Sequence, residues 1–215
     1  MNISRIIIVV SHLPILLSAL YTFIYFKKFS KPLQIFSYSI FFSSVIQFIS
    51  LLLWFYRVNN MPLLHLYVIG QILLLGWFYQ KVLGGYINVR IIWFVTILFS
   101  IFSIINSFFF QNIFSFNSYA ITFQSVLITI VTIFSYIVFL NKIVQQENSN
   151  DILSLNWINS GLFIYHASNL LIFYFGASIL GKISADLGLQ SWILHSFFSI
   201  IMYTCFLVGL YKAPK

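Results

Sequence analysis

The chain has 215 residues, of which 61% are hydrophobic and only 7% are Asp, Glu, Lys or Arg. In a soluble domain about a quarter of the residues are charged, so this composition excludes a soluble globular domain and a disordered chain. It indicates a polytopic membrane protein whose main partner is the lipid bilayer. The net charge of +8 is spread over short loops, so we expect no nucleic-acid partner, and a single cysteine, Cys205, excludes an internal disulfide.

Seven apolar runs are long enough for transmembrane helices, each of which needs about 20 mostly apolar residues. We place them near residues 3–26, 33–56, 62–83, 89–110, 118–140, 155–180 and 190–211. Pro32 and Pro62 suit helix starts, and Gly84 and Gly181 suit helix ends. The first run is apolar beyond the length of a signal peptide and lacks a cleavage pattern, so we expect a retained helix. The sequence thus predicts an all-α, single-domain bundle of seven transmembrane helices.

The positive charges predict the orientation of this bundle. The side of the N-terminus carries three cations, Arg5, Arg57 and Lys182. The opposite side carries eight, which are Lys27, Lys28, Lys31, Lys81, Arg90, Lys142, Lys212 and Lys215. Since cytoplasmic loops carry the excess of Lys and Arg, we expect a multi-pass protein of the cell (inner) membrane, with the N-terminus outside and the C-terminus in the cytoplasm.

An internal repeat is one interpretation of the helix ends. Leu64-His65 in the third run matches Leu194-His195 in the seventh, and both the first and the fifth runs end next to lysine. The first three and last three helices would then be parallel copies joined by the fourth, as in small transporters. The shared composition of membrane helices explains the same pattern without a repeat.

The carboxylates exclude several kinds of membrane chemistry. All three, Glu147, Asp151 and Asp186, lie in predicted loops. Proton-coupled pumps, intramembrane aspartyl chemistry and glutamate-dependent zinc hydrolysis need carboxylates within the membrane. A retinal Schiff base needs a lysine in the seventh run, which has none. We therefore assign no catalytic residue and expect no cofactor.

The sixth run carries the strongest polar pattern. Asn156, Asn159, His166, Asn169 and Gly176 follow at spacings of 3, 7, 3 and 7 residues, which places them on one stripe of a helix. Amides and imidazoles are costly against lipid, so the stripe is expected to face the bundle interior or a wet cavity. Two interpretations stay open: hydrogen bonds that only hold helices together, and a functional cavity.

Gln47 and two further histidines complete the candidates. Gln47 is large, polar and near the middle of the second run. At about 1.5 Å per residue, His65 and His195 lie roughly 5 Å and 7 Å inside the outer boundary, and His166 roughly 20 Å. Zinc ligands must all lie within about 2.1 Å of the ion, so we predict no metal site. The candidate ligand-binding residues are Gln47, His65, Asn159, His166, Asn169 and His195.

Three segments carry a family resemblance: MPLLHLY at 61–67, NSGLFIY at 159–165 followed by Asn169, and WILH at 192–195 with GLYK at 209–212. In these segments the chain resembles small seven-helix membrane proteins and sensor-kinase membrane domains of Bacteroidota. In the kinase-linked members the last helix continues into a cytoplasmic output domain. This sequence departs from them at Lys215, so we expect any signal to leave through a separate cytoplasmic partner. The resemblance implies no chemistry for particular residues.

The sequence favours a non-enzymatic sensor or ligand-binding module with an outward-facing polar cavity for a small molecule. A ligand would act by stabilising one packing of the helices over another. Two alternatives stay open. One is a passive facilitator for a small solute, built on the three-plus-one-plus-three arrangement. The other is a histidine-dependent membrane enzyme that acts on lipid.

Overall fold

The computed structural model describes residues 7, 9–144, 149–175 and 185–214. These residues form helices and no strand, which confirms the all-α prediction. The helices are α1 Leu13–Tyr25, α2 Lys31–Phe55, α3 Met61–Val82, α4 Val89–Ile105, α5 Ser118–Val144, α6 Ser149–Asn169 and α7 Ala185–Lys212. A short 3-10 turn, Phe26–Lys28, follows α1, and π-helical turns follow α4 at Asn106–Phe110 and α6 at Leu170–Phe175.

The helix ends follow local chemistry. Pro32 and Pro62 lie in the first turns of α2 and α3, where a missing backbone N–H costs nothing. The side chain of Asn88 caps α4 by accepting a hydrogen bond from the backbone N–H of Arg90 at 3.0 Å. After α3 the chain reverses at Gly85, whose φ of 104° suits glycine. Gly181 lies outside the described residues.

The second to fifth helices begin and end within a few residues of the predicted runs, whereas the sixth and seventh begin earlier. Of the first predicted run, residues 3–6 and 8 lie outside the described residues, residues 7, 9 and 10 are helical, and α1 begins at Leu13 after a turn at Ser11 and His12. The start of α6 at Ser149 precedes the predicted start at 155, because the polar stretch that reads as a loop is helical. Asp151 in its first turn stabilises the positive end of the helix dipole.

Five of the described helices are long and apolar enough to cross a membrane. They are Lys31–Phe55, Met61–Val82, Val89–Phe110, Ser118–Asn141 and Gln190–Lys212. The described part of α1 has only 13 residues, and α6 begins with a polar stretch. Length and composition thus agree with a membrane protein.

The chain divides into two compact units. Unit 1 contains residues 1–21 and 125–213, and so holds most of α1 and α5 together with α6 and α7. Unit 2 contains residues 22–124 with 214–215, and so holds α2, α3, α4 and the start of α5. This grouping differs from the three-plus-one-plus-three arrangement, because α4 belongs with α2 and α3 and α1 belongs with α6 and α7.

Unit 2 is held together by aromatic contacts and close helix approach. Between α2 and α3, the rings of Phe36 and Phe78 lie 5.1 Å apart and those of Tyr38 and Trp77 stack at 6.0 Å. The buried Ser43 hydroxyl of α2 donates to Gln71 Oε1 of α3 at 3.3 Å.

Unit 1 is built around close contact between α6 and α7. A Cβ placed on Gly161 would lie 2.9 Å from both Cys205 Cβ and the Met202 carbonyl oxygen, so only glycine fits there without movement. Further along the same pair of helices, the Ser154 hydroxyl donates to the Gly209 carbonyl at 2.7 Å. Small residues at such contacts let membrane helices approach closely.

Candidate functional site

The polar stripe of α6 is largely buried within unit 1. Asn159, His166 and Asn169 are buried, and Asn156 is partly buried. Gly176, the last member of the stripe, lies outside the described residues. Asn159 Nδ2 donates to the backbone carbonyl of Thr132 on α5 at 2.9 Å, so this amide links two helices of the unit.

The C-terminal part of the stripe, at His166 and Asn169, contacts α5 and α7. Nδ1 of His166 lies 3.2 Å from the Ser125 hydroxyl oxygen of α5. Nδ1 of His195 on α7 lies 3.2 Å from Asn169 Oδ1. The Tyr165 ring lies 5.1 Å from the His166 ring and 5.4 Å from the His195 ring. We call His166, Asn169, His195 and Tyr165 the histidine–amide cluster.

The chemistry of the partner atoms assigns a tautomer to His195. With the amide oriented so that Asn169 Oδ1 faces the ring, this oxygen can only accept, so His195 Nδ1 carries the proton. Nε2 of the neutral ring then has a lone pair and acts as an acceptor. Trp192 packs one helical turn before His195, edge-on to its ring at 5.5 Å. The cluster therefore combines hydrogen-bonding atoms with aromatic surface.

The depth estimate for the histidines is wrong for this pair. Because Tyr165 contacts both rings, His166 and His195 lie closer together than the roughly 13 Å that counting residues from the predicted helix ends implied. The regular part of α6 ends at Asn169, and α7 begins at Ala185 rather than at 190. Both differences change the residue counts on which the depth estimate rested.

His65 lies on α3 in unit 2, where it is buried against the π-helical turn after α4 and the loop that follows. Its Nδ1 lies 2.7 Å from the Ser107 hydroxyl oxygen, and its Nε2 lies 3.1 Å from the Ser115 carbonyl oxygen. A carbonyl oxygen can only accept, so Nε2 donates to Ser115. The Ser107 hydroxyl, which is the polar neighbour of Nδ1, donates to the Ser103 carbonyl at 2.8 Å. Both ring nitrogens thus bind the protein itself, which is typical of a structural histidine.

Gln47 is half-buried on α2, also in unit 2. The six candidate residues therefore fall into two groups. Gln47 and His65 belong to unit 2, whereas Asn159, His166, Asn169 and His195 belong to unit 1. Of these, the structure brings Asn169 and His195 into direct contact, with His166 one helical turn away.

Several partners of the candidates were missed in the sequence. Ser125, Tyr165 and Ser107 each contact a candidate histidine. Serine recurs throughout these helices and reads as close packing, and aromatic residues near helix ends read as an interfacial belt. Tyr165 directly precedes His166, and no periodic pattern in the sequence marks it as a partner of both histidines.

Across the described ranges, no group of three or more His, Cys, Asp or Glu side chains is placed to hold a metal ion. No protein-family model, curated protein or solved structure matches the chain. The resemblance to Bacteroidota membrane domains thus stays a prediction.

Proposed function

We propose that the protein is a non-enzymatic sensor or ligand-binding module of the cell membrane, with seven transmembrane helices and its N-terminus outside. The histidine–amide cluster of unit 1 would contact a small molecule that combines hydrogen-bonding groups with an apolar body. Binding would favour one packing of α6 against α7, and a separate cytoplasmic partner would respond to that packing.

The observation that supports this proposal is the presence of polar groups that the helix pair does not need. Gly161 and the hydrogen bond from Ser154 to Gly209 already bring α6 and α7 into close contact. A hydrogen bond between membrane helices contributes only about 0.6 kcal/mol on average. Two imidazoles and an amide within the membrane are costly and are more often functional than structural.

Cysteine accessibility tests whether the cluster is reached from outside. In a Cys205→Ser background, single cysteines replace His166 or Asn169, and cells are treated with a small, charged, membrane-impermeant thiol reagent. Leu171→Cys, exposed in the π-helical turn after α6, reports reaction through lipid, and Leu162→Cys reports a buried packing position. We expect cysteines at 166 and 169 to react and both controls to react slowly.

A second measurement separates binding from packing. If the cluster serves a ligand, His166→Leu abolishes the response while expression and melting temperature stay close to those of the parent protein. If His166 and Asn169 cysteines are as unreactive as Leu162→Cys, and His166→Leu lowers stability by about the 0.6 kcal/mol of one interhelical hydrogen bond, the stripe is structural and the proposal fails.

A further inference from the structure

The segment that joins α4 to α5 contains no charge. From Ile91 to Asn141 the sequence has no Asp, Glu, Lys or Arg. Val89–Phe110 and Ser118–Asn141 are both candidate membrane spans, so the connection between them lies at a membrane surface. A loop that extends into water at such a surface would normally carry charged or polar side chains on its outside.

The aromatic side chains of this segment point away from the protein. Phe108, Phe109 and Phe110 are 76%, 81% and 70% exposed, and Phe114 is 64% exposed. Asn59 Nδ2 donates to the Phe114 carbonyl at 2.8 Å, which ties the loop after α2 to the same end of unit 2. We call these four phenylalanines the aromatic patch.

Four polar side chains at the two ends of the segment, those of Asn106, Gln111, Asn117 and Ser118, bind one another, whereas Asn112 and Ser115 at its centre are exposed. Asn106 Nδ2 donates to Gln111 Oε1 and Asn117 Oδ1, both at 2.9 Å, and Gln111 Nε2 donates to the Ser118 hydroxyl at 2.8 Å. The backbone N–H of Tyr119 donates to Gln111 Oε1 at 3.2 Å, which fixes the orientation of that amide. Asn106 and Asn117 are buried. The segment therefore exposes its phenylalanines while it buries the amides of Asn106 and Asn117.

We propose that the α4–α5 connection lies in the boundary between lipid headgroups and acyl chains, and that the aromatic patch anchors this end of unit 2 there. The exposed apolar side of α4, at Ile97, Ile101 and Ile104, continues into the patch, so the lipid-facing surface of the helix extends over the loop. Phenylalanine is among the side chains that surface-bound segments bury at the boundary of headgroups and acyl chains, whereas in water the patch would carry the full cost of hydrating apolar surface. The inward network supplies Gln111, Ser118 and the backbone N–H of Tyr119 with hydrogen-bond partners where water is scarce, while Asn106 Oδ1 and Asn117 Nδ2 are buried without one.

Site-directed fluorescence in nanodiscs of phosphatidylethanolamine and phosphatidylglycerol tests this proposal. The full chain with Cys205→Ser and Phe109→Cys is labelled with an environment-sensitive dye. Quenching is measured with lipids that carry a nitroxide near the headgroup, with lipids that carry it near the end of the acyl chain, and with aqueous iodide. Lys27→Cys, an exposed position in a lysine-rich turn, is the matched control.

We expect the dye at position 109 to lose fluorescence most strongly with the shallow nitroxide and least with iodide, and the dye at position 27 to show the opposite order. Strong iodide quenching at position 109 would place the loop in water and overturn the proposal. Weak quenching by all three, together with energy transfer between labelled copies, would make the patch an interface between two chains and would also overturn it. Unchanged melting temperatures relative to the parent protein verify that both labelled variants are folded.

Discussion

At the scale of single residues, His65 and His195 differ in what surrounds their rings. His65 directs both ring nitrogens at the end of α4 and its loop. The ring of His195 instead contacts Asn169 and lies among Tyr165 and Trp192. The two histidines thus have different surroundings, although the sequence places both in similar Leu-His pairs near the start of a helix.

His65→Leu should destabilise unit 2 without affecting any response that depends on the histidine–amide cluster. The change removes two hydrogen bonds and leaves the Ser115 carbonyl without this donor, so we expect a loss of about 1–2 kcal/mol in the free energy of unfolding. Ser107→Ala removes one of the two bonds and should cost about half as much. Thermal unfolding in nanodiscs measures both, and equal stability of His65→Leu and the parent protein would contradict the structural role.

At the scale of helices, the protein combines two ways of joining neighbours. Where α6 meets α7, glycine allows the backbones to approach directly. At the connection between α4 and α5, amide side chains from the end of one helix and the start of the next bind one another. Added side-chain volume should weaken the contact between α6 and α7, whereas the loss of a donor or acceptor should weaken the connection between α4 and α5.

Gly161→Ala should weaken the contact between α6 and α7. The added Cβ meets the Met202 carbonyl at 2.9 Å, and backbone atoms cannot move away as a flexible side chain can. Overpacking of this kind typically costs about 1–3 kcal/mol, and we expect a corresponding fall in melting temperature. Leu153→Phe, which adds volume at an exposed position of the same helix, is the matched control and should melt like the parent protein.

Gln111→Leu should loosen the α4–α5 connection. The substitution removes the acceptor for Asn106 Nδ2 and for the backbone N–H of Tyr119, as well as the donor to Ser118. We expect faster amide hydrogen exchange over residues 111–119, measured by mass spectrometry, since local opening would break fewer hydrogen bonds. Ile113→Ala, an exposed apolar change in the same loop, should leave exchange unaltered; equal rates in both variants would show that the network does not stabilise the loop.

At the scale of the whole molecule, the distribution of positive charge is the feature from which we predict the orientation. The predicted cytoplasmic side carries eight Lys and Arg, against three on the other side. His65 has its hydrogen-bond partners within unit 2, and His166 and His195 each bind a polar side chain within unit 1.

Reporter fusions should place the C-terminus in the cytoplasm. Green fluorescent protein fused after Lys215 should fluoresce, and alkaline phosphatase at the same position should be inactive. A phosphatase fusion after Asn59, in a loop expected to face outward, should be active. The reverse pattern would contradict the positive-inside assignment and would turn the histidine–amide cluster toward the cytoplasmic half of the membrane.

Much of the fold was predictable because it depends on local signals. Runs of apolar residues, with Pro32 and Pro62 in first turns, located α2 to α5 within a few residues. The polar start of α6 was missed, since Asn and Ser favour loops in isolation and form this helix only in the folded unit. The partners of the histidines were not predictable for another reason. Ser107 and Ser115 are separated from His65 by 42 and 50 residues, and no periodic pattern encodes such pairs.

The two π-helical turns, Asn106–Phe110 and Leu170–Phe175, have a consequence for how this chain tolerates changes in length. A π-turn bonds residue i to i+5, so it holds one residue more than an α-helical turn requires. Deleting one residue there, such as Phe109, converts the turn to α-helix. Deleting one in the middle of α5 instead rotates every later side chain by about 100°. Among sequences of the same architecture, insertions and deletions within the helices should therefore concentrate at these two turns.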